Sequence, residues 1–415
     1  MNAKNSEQSH GMKDPGGEFQ DFHRRGADWL REVRRQQGQG GNNGVAALQT
    51  SMPQKQPRTY PVSEAARMVG TTDQTLRNLE GREDFDLPSR DNNQRRRYTL
   101  AQINLARDLL GKRPSRPEGS RPIRQVIFNA KGGVAKTTTA IHLAQKVALE
   151  GYRCLLIDLD PQGSATLNFG FLPNVDVVSN EDEDHTIYPA LIEDPELIRG
   201  VIQKSYFDGV DIIPACLGLD DAEDALAQDS DKEAPELGWV LSRIDQTLRV
   251  VEDNYDVIVM DCGPSIRMLA TNAVQASNAM VVPIPPAMQD FGSSVTLNRV
   301  LSRLFHVIPD KTFDLFRVLL TSYEEGQETA KMESLLRNVY GDYVFVPHVV
   351  DSVEIQRAAS ALGSIYDIET PWGDPDSYKR ALKSVDQVNL EILNLYQQIW
   401  QAQALAAEED KEKED

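Results

Sequence analysis

From residue 125 onward, short apolar runs alternate with stretches whose apolar residues recur at helical spacing. Val126, Ile127 and Phe128 make the first run, and others follow over residues 154–158, 209–214, 256–261, 279–286, 315–322 and 344–347. Runs this short, apolar at nearly every position, predict strands buried on both faces. Their alternation with helices predicts an α/β fold, a doubly wound parallel sheet. A long closing helix is expected over residues 378–405, with Leu382, Val385, Val388, Ile392, Leu395 and Ile399 along one side.

The N-terminal part is patterned differently. Residues 1–57 are rich in Gly, Gln and Asn and hold one helical candidate, 19–37, whose Phe19, Phe22, Ala27, Trp29, Leu30 and Val33 need a partner surface. A polar linker with Pro53 and Pro57 follows. Within 58–111 two short helices are predicted. The first, 64–68, has Ser63 as cap and closes at Gly70; the second, 74–79, has Thr72 or Asp73 as cap and closes at Gly81. That spacing is the helix-turn-helix spacing, with Gln74, Thr75, Arg77 and Asn78 offered to a major groove. After it come residues 85–88, the basic run Arg95, Arg96 and Arg97, and a helix over 100–110. Residues 112–124, with Pro114, Pro117 and Pro122, form a second linker. The expected organisation is therefore an N-terminal helix and linker to 57, a module over 58–111, a linker to 124, a large α/β domain over 125–407 and an acidic tail over 408–415.

Composition sharpens this picture. The chain has 415 residues and a formal net charge of −19, so its surface as a whole repels nucleic acid. Charge is uneven, however: from Arg58 to Arg124 there are 14 Lys/Arg against 9 Asp/Glu. The acid concentrates in 181–184, 220–236 and 408–415, expected to be solvated loops and a disordered terminus. No apolar run approaches the roughly 20 residues that span a bilayer, and the polar N-terminus lacks a signal peptide's apolar centre, so a cytosolic location is expected. Cys154, Cys216 and Cys262 are widely spaced in apolar segments, which predicts buried reduced thiols.

Chemistry enters directly after the first strand. Lys131, Gly132, Gly133, Val134, Ala135, Lys136, Thr137 and Thr138 open the next helix. Glycines there let backbone N–H groups turn inward on a phosphate, and the helix aims its N-terminus at the anion. Lys136 would place an ammonium on the outer phosphates and Thr137 a hydroxyl on Mg²⁺. The ordinary Walker spelling fails, since Ala130 and Ala135 stand where it asks for glycine. The stretch instead resembles the deviant Walker motif of the ParA/MinD ATPases, with Lys131 as the extra lysine that in that family reaches the partner subunit's nucleotide. Two further strand ends match the family in order. By that resemblance Asp160 positions the attacking water, Asp158 helps order the metal and switch region, and Asp261 holds Mg²⁺ directly or through water. Where the family continues Cys-Pro-Pro-Ser, this chain has Cys262, Gly263, Pro264 and Ser265.

The resemblance runs from 125 to about 368 and is to large plasmid partition ATPases of ParA type, in which a winged helix-turn-helix resembling that of MerR-like regulators precedes the ATPase domain. It implies an ATPase with ATP and Mg²⁺ as cofactors that dimerises on ATP and binds nucleoid DNA non-specifically. A ParB-type centromere-binding protein would stimulate it, and the N-terminal module would repress its own operon by binding operator DNA, with Arg95, Arg96 and Arg97 on phosphates. The membrane-binding MinD branch is disfavoured, because this chain ends in an acidic segment that an anionic leaflet repels. A nucleotide-regulated repressor is the alternative, and stimulation of hydrolysis by a partner separates the two.

Overall fold

The computed structural model describes residues 55–179, 184–230, 240–287, 297–302, 305 and 311–414. The helix expected over 19–37 lies outside them. Among the described residues seven strands form the central sheet: β4 (Ile123–Ile127), β5 (Cys154–Asp158), β6 (Gln203–Lys204), β7 (Val210–Ile213), β8 (Val257–Asp261), β9 (Ala279–Ile284) and β10 (Leu315–Leu320). Their spatial order is β10-β9-β4-β8-β5-β7-β6, parallel throughout except for β6 at one edge. Strands β4, β5, β8 and β9 are buried at every position. Of these, β5, β8 and β9 are apolar up to their ends, whereas β4 starts earlier than expected, at Ile123, and buries Arg124 on Asp245 and Glu252 and Gln125 on Tyr396.

Apolar residues pack on both faces. Leu155, Ile157, Ile213, Ile258, Met260 and Val282 serve one side; Ile127, Leu156, Val257, Val259 and Val281 serve the other. The closing helix, Pro375–Glu414, lies on the second face. Tyr396 donates to Gln125 Oε1 at 2.8 Å and Trp400 Nε1 to the Arg121 carbonyl at 3.0 Å, which fixes the helix to β4 and to the segment entering it. Among the described residues no helix is long and apolar enough to cross a membrane.

Three expectations about the larger domain fail. Residues 344–347 form no strand but a bridge from Val344 to Val318, because Pro347 has no N–H to continue a ladder. The acid-rich region after 218 is a helix, Leu219–Ser230, rather than a solvated loop. Its Glu223 is buried and accepts N–H bonds from Met268 at 2.7 Å and Leu269 at 3.2 Å, serving the N-terminus of the helix Met268–Ala276. The acidic end is not a disordered terminus either, since the closing helix runs on through Glu414.

Residues 59–109 fold as three helices, Val62–Val69, Asp73–Leu79 and Leu100–Leu109, with a small antiparallel sheet of β1 (Thr59–Pro61), β2 (Ser89–Arg90) and β3 (Arg96–Thr99) in the order β1-β3-β2. Gly70 closes the first helix at φ 74°, as expected. Ser63 does not cap it: β1 runs straight into the helix through Pro61, and Ser63 falls inside the first turn. Thr72 caps the second helix by accepting Thr75 N–H, and at its other end Glu80, not Gly81, is the cap. Thr99 and Gln102 form a reciprocal capping box on the third.

This module and the large domain share an apolar core that includes Leu76, Tyr98 and Ile103 on one side and Ile123 and Leu143 on the other. Arg107 is buried at the junction, donating to the Leu149 carbonyl at 2.7 Å and to Met68.

Candidate nucleotide site

The strand register brings the site together. Ile127 pairs with Asp261, and Asp261 with Asp158, so the phosphate loop and two carboxylates leave the sheet at its C-terminal edge, side by side. Open α/β sheets hold their ligands at that edge.

Between β4 and the helix Lys136–Leu149, the loop is shaped by its own polar groups. Asn129 donates to the Pro283 carbonyl at 2.8 Å and accepts Lys131 N–H at 3.0 Å. Gly133 sits at φ 72° and Ala135 at φ 66°, both in the left-handed region. A side chain at 133 would meet no protein atom within 4 Å, so within the fold itself that glycine answers to backbone conformation. Thr321, at the end of β10, donates to the Val134 carbonyl at 3.2 Å and steadies the loop from outside. No side chain caps the helix at Ala135. Its first N–H groups are left to whatever anion approaches.

Lys136 is buried and folds back on the loop, donating from Nζ to the Lys131 carbonyl at 2.8 Å. Burial pushes its pKa below the ordinary lysine value, against the nearby charges of Asp261, Cys262 and Asp160. A bound phosphate would oppose that shift by favouring the charged ammonium.

The carboxylates divide into distinct tasks. Asp158 is fully buried; its oxygens accept Thr166 N–H and hydroxyl at 2.8 Å each and Asp160 N–H at 3.1 Å. Burial raises its pKa to about 6 against those hydrogen bonds. It organises the turn that carries Asp160. Asp160 is half-buried and accepts Gln162 N–H at 3.0 Å on Oδ1. A Cβ at Gly263 would lie 3.3 Å from Asp160 Cγ, so the missing side chain in this chain's version of the third motif makes room for that carboxylate.

Asp261 is fully buried, and neither of its oxygens has a hydrogen-bond partner. The Thr137 hydroxyl lies near enough to lower its pKa but not in bonding geometry. Burial, followed by the charge of Asp158, holds that pKa well above the carboxylate range. An orphaned buried carboxylate beside a threonine hydroxyl is what a Mg²⁺ ion would satisfy, and hard oxygen donors suit that ion.

The sequence therefore brought Lys131–Thr138, Asp158, Asp160 and Asp261 to one place, as the strand ends required. It missed Asn129, Thr166, Thr321 and the role of Gly263. Asn129 carried a signal, a polar residue at the exit of an apolar strand; Thr321 carried none, being distant in the chain.

The residues expected on DNA are elsewhere. Gln74, Arg77 and Asn78 are exposed on the second short helix, with Gln74 donating to Asn78 Oδ1 at 2.8 Å, and Thr75 is half-buried. Arg95 is exposed at the hairpin. Arg96 is paired with Glu80 at 2.9 Å, and Arg97 with Thr59 and Glu369.

Residues 124–308 match a family model described as an AAA domain. The chain is 31% identical over 320 residues to Protein SopA of Escherichia coli (strain K12), covering 75% of this chain and 81% of that protein. It is 28% identical over 245 residues to the chromosome partitioning protein ParA of Caulobacter vibrioides (strain NA1000 / CB15N), covering 58% and 85%. A solved structure named Partition Protein, 20% identical, has a TM-score of 0.57 over 82% of this chain and 95% of its own, a likeness of fold.

Proposed function

Because this chain belongs to the ParA-type family of partition ATPases, we propose that it is an ATP-dependent DNA segregation ATPase. In this reading it dimerises on ATP, coats nucleoid DNA non-specifically, is stimulated by a ParB-type centromere-binding protein and represses its own operon through residues 58–111. The observation that carries the reading is the meeting of Lys136, Asp160 and the unpartnered Asp261 at one sheet edge.

Lys136 and the loop N–H groups would hold the outer phosphates, with Thr137 and Asp261 holding Mg²⁺. Bound Mg²⁺ would neutralise charge developing on the transferred phosphoryl group. Asp160, steadied by Asp158 and given room by Gly263, would orient the attacking water. Lys131 would act across the dimer. Specific DNA binding would fall to Gln74, Thr75, Arg77 and Asn78 on bases and to Arg95, Arg96 and Arg97 on phosphates. The paired state of Arg96 and Arg97 means that they must first leave their carboxylates.

The test is ATP turnover by the full chain, alone, with duplex DNA, and with DNA plus the product of the neighbouring gene. Stimulation by the last combination, with Lys136→Gln losing tight nucleotide binding, is expected. Wild-type nucleotide affinity in Lys136→Gln would remove the phosphate assignment. Turnover indifferent to DNA and partner would leave the repressor reading.

A further inference from the structure

The segment from Ser364 to Glu369 touches both the phosphate-loop helix and the basic hairpin. At one end stands His142, buried on the Lys136–Leu149 helix. Its Nδ1 lies 2.6 Å from the Thr138 carbonyl and must donate there, so Nε2 accepts, and it takes Ile365 N–H at 3.2 Å. The ring meets Tyr366 edge-on, with centroids 5.7 Å apart. The segment is thereby fixed to the nucleotide domain.

At its other end Glu369 Oε1 accepts both the N–H and the hydroxyl of Thr59, each at 2.7 Å, while Oε2 lies 3.4 Å from Arg97 Nη2. Arg97 completes the knot by donating to the Thr59 carbonyl at 2.7 Å and to Thr59 Oγ1 at 3.1 Å. Arg58 adds a bond to the Tyr366 carbonyl at 3.4 Å. Arg96 is turned instead onto Glu80, because neighbouring residues of β3 face opposite sides of the strand. One arginine of the basic run is thus held by an acid of the nucleotide domain. The Glu369 side chain is 44% exposed and that of Arg97 21% exposed, so water reaches the pair and the contact is weak enough to open.

We propose that Glu369 is a latch that holds β1 and Arg97 against the nucleotide domain and competes with nucleic-acid phosphate for Arg97. The inference rests on the reading of residues 58–111 as a duplex-binding module. Phosphate and carboxylate each present a pair of anionic oxygens to a guanidinium, so occupation by one excludes the other. Full affinity of the hairpin for a DNA backbone requires that the contact open.

The experiment uses the full chain and a labelled random-sequence duplex, with affinity measured across a salt series for wild type, Glu369→Gln, Arg97→Ala and the double variant. Glu369→Gln is expected to bind roughly three- to thirtyfold more tightly, with a salt slope steeper by about 0.9, the contribution of one added phosphate contact. The gain should vanish when Arg97→Ala is combined with it. Hydrogen exchange at the Thr59 amide reads the latch without DNA and should quicken in Glu369→Ala.

Equal affinity and slope in wild type and Glu369→Gln would overturn the competition. A gain that survives Arg97→Ala would also overturn it, since the effect would then come from lost negative charge. Unchanged Thr59 exchange would remove the latch itself. Loss of duplex binding in every form, wild type included, would remove the module's proposed role along with the latch, whereas failure of the latch alone leaves wild-type binding intact.

Discussion

Ala135 stands at φ 66° and ψ 31° on the last residue before the phosphate-loop helix, where the ordinary motif has glycine. For an L-residue this conformation costs about 1–2 kcal/mol, because Cβ crowds the following carbonyl. Glycine removes that cost but loses about 0.5–1 kcal/mol more conformational entropy on folding. Ala135→Gly is therefore expected to raise the unfolding free energy by about 0.5–1 kcal/mol. Its carbonyl still accepts the Thr139 N–H at 2.9 Å and hydroxyl at 2.7 Å, so helix initiation is unchanged. Gly133→Ala is the converse experiment. At φ 72°, with nothing within 4 Å of the added Cβ, it places the same backbone cost on the folded state without a steric clash and should lower stability by a similar amount. Urea denaturation of the nucleotide-free protein reads both through the shift in midpoint at constant slope. If Ala135→Gly is destabilising, or if both substitutions act in the same direction, left-handed strain does not govern the loop. ATP affinity should separate the two variants as well: Ala135→Gly keeps it within about threefold, while a methyl on Gly133 obstructs the approach of phosphate to the backbone.

Asp160→Ala should bind nucleotide normally yet hydrolyse it about 10² to 10⁴ times more slowly, the usual worth of orienting and proton-handling groups; unchanged turnover would reduce Asp160 to a turn residue. Asp261→Asn should lose Mg²⁺-dependent tightening of ATP binding and, in EDTA, be about 1–3 kcal/mol more stable than wild type, since an unpaired buried carboxylate is replaced by a neutral amide. Calorimetric titration with and without Mg²⁺ checks the first and chemical denaturation the second. Lys311 is held near the Gln275 and Ser277 carbonyls, and burial pulls its pKa down to about 8. Between pH 8 and its ordinary value near 10.4 the unfolded chain binds more protons, so stability should rise with pH by about 1–2 kcal/mol after discounting for partial exposure. Lys311→Met should flatten that rise, and a slope identical to wild type would clear Lys311 of it.

Much of this protein is written locally. A strand buried on both faces is apolar at nearly every position, so β5, β8 and β9 were legible as runs, while β4 was legible only from Val126, its buried Arg124 and Gln125 depending on distant partners. Side chains at the ends of parallel strands face the ligand edge, so Asp158, Asp160 and Asp261 were legible as a site. Gly70 and Thr72 were legible because capping is decided within one turn of helix. What the tertiary structure decided is whatever depends on a distant partner. Glu223 and its acidic neighbours read as a solvated loop until the start of the helix Met268–Ala276, some way down the chain, supplied N–H groups for Glu223 to accept. Val344 read as a strand, but its neighbour Val318 and the proline at 347 allowed only a bridge. Thr321 reached the phosphate loop from 187 residues away. The arginine run could be counted from sequence, yet the pairing of Arg96 with Glu80 and of Arg97 with Glu369 needed the fold, because a charge is free or engaged only according to what the chain brings beside it.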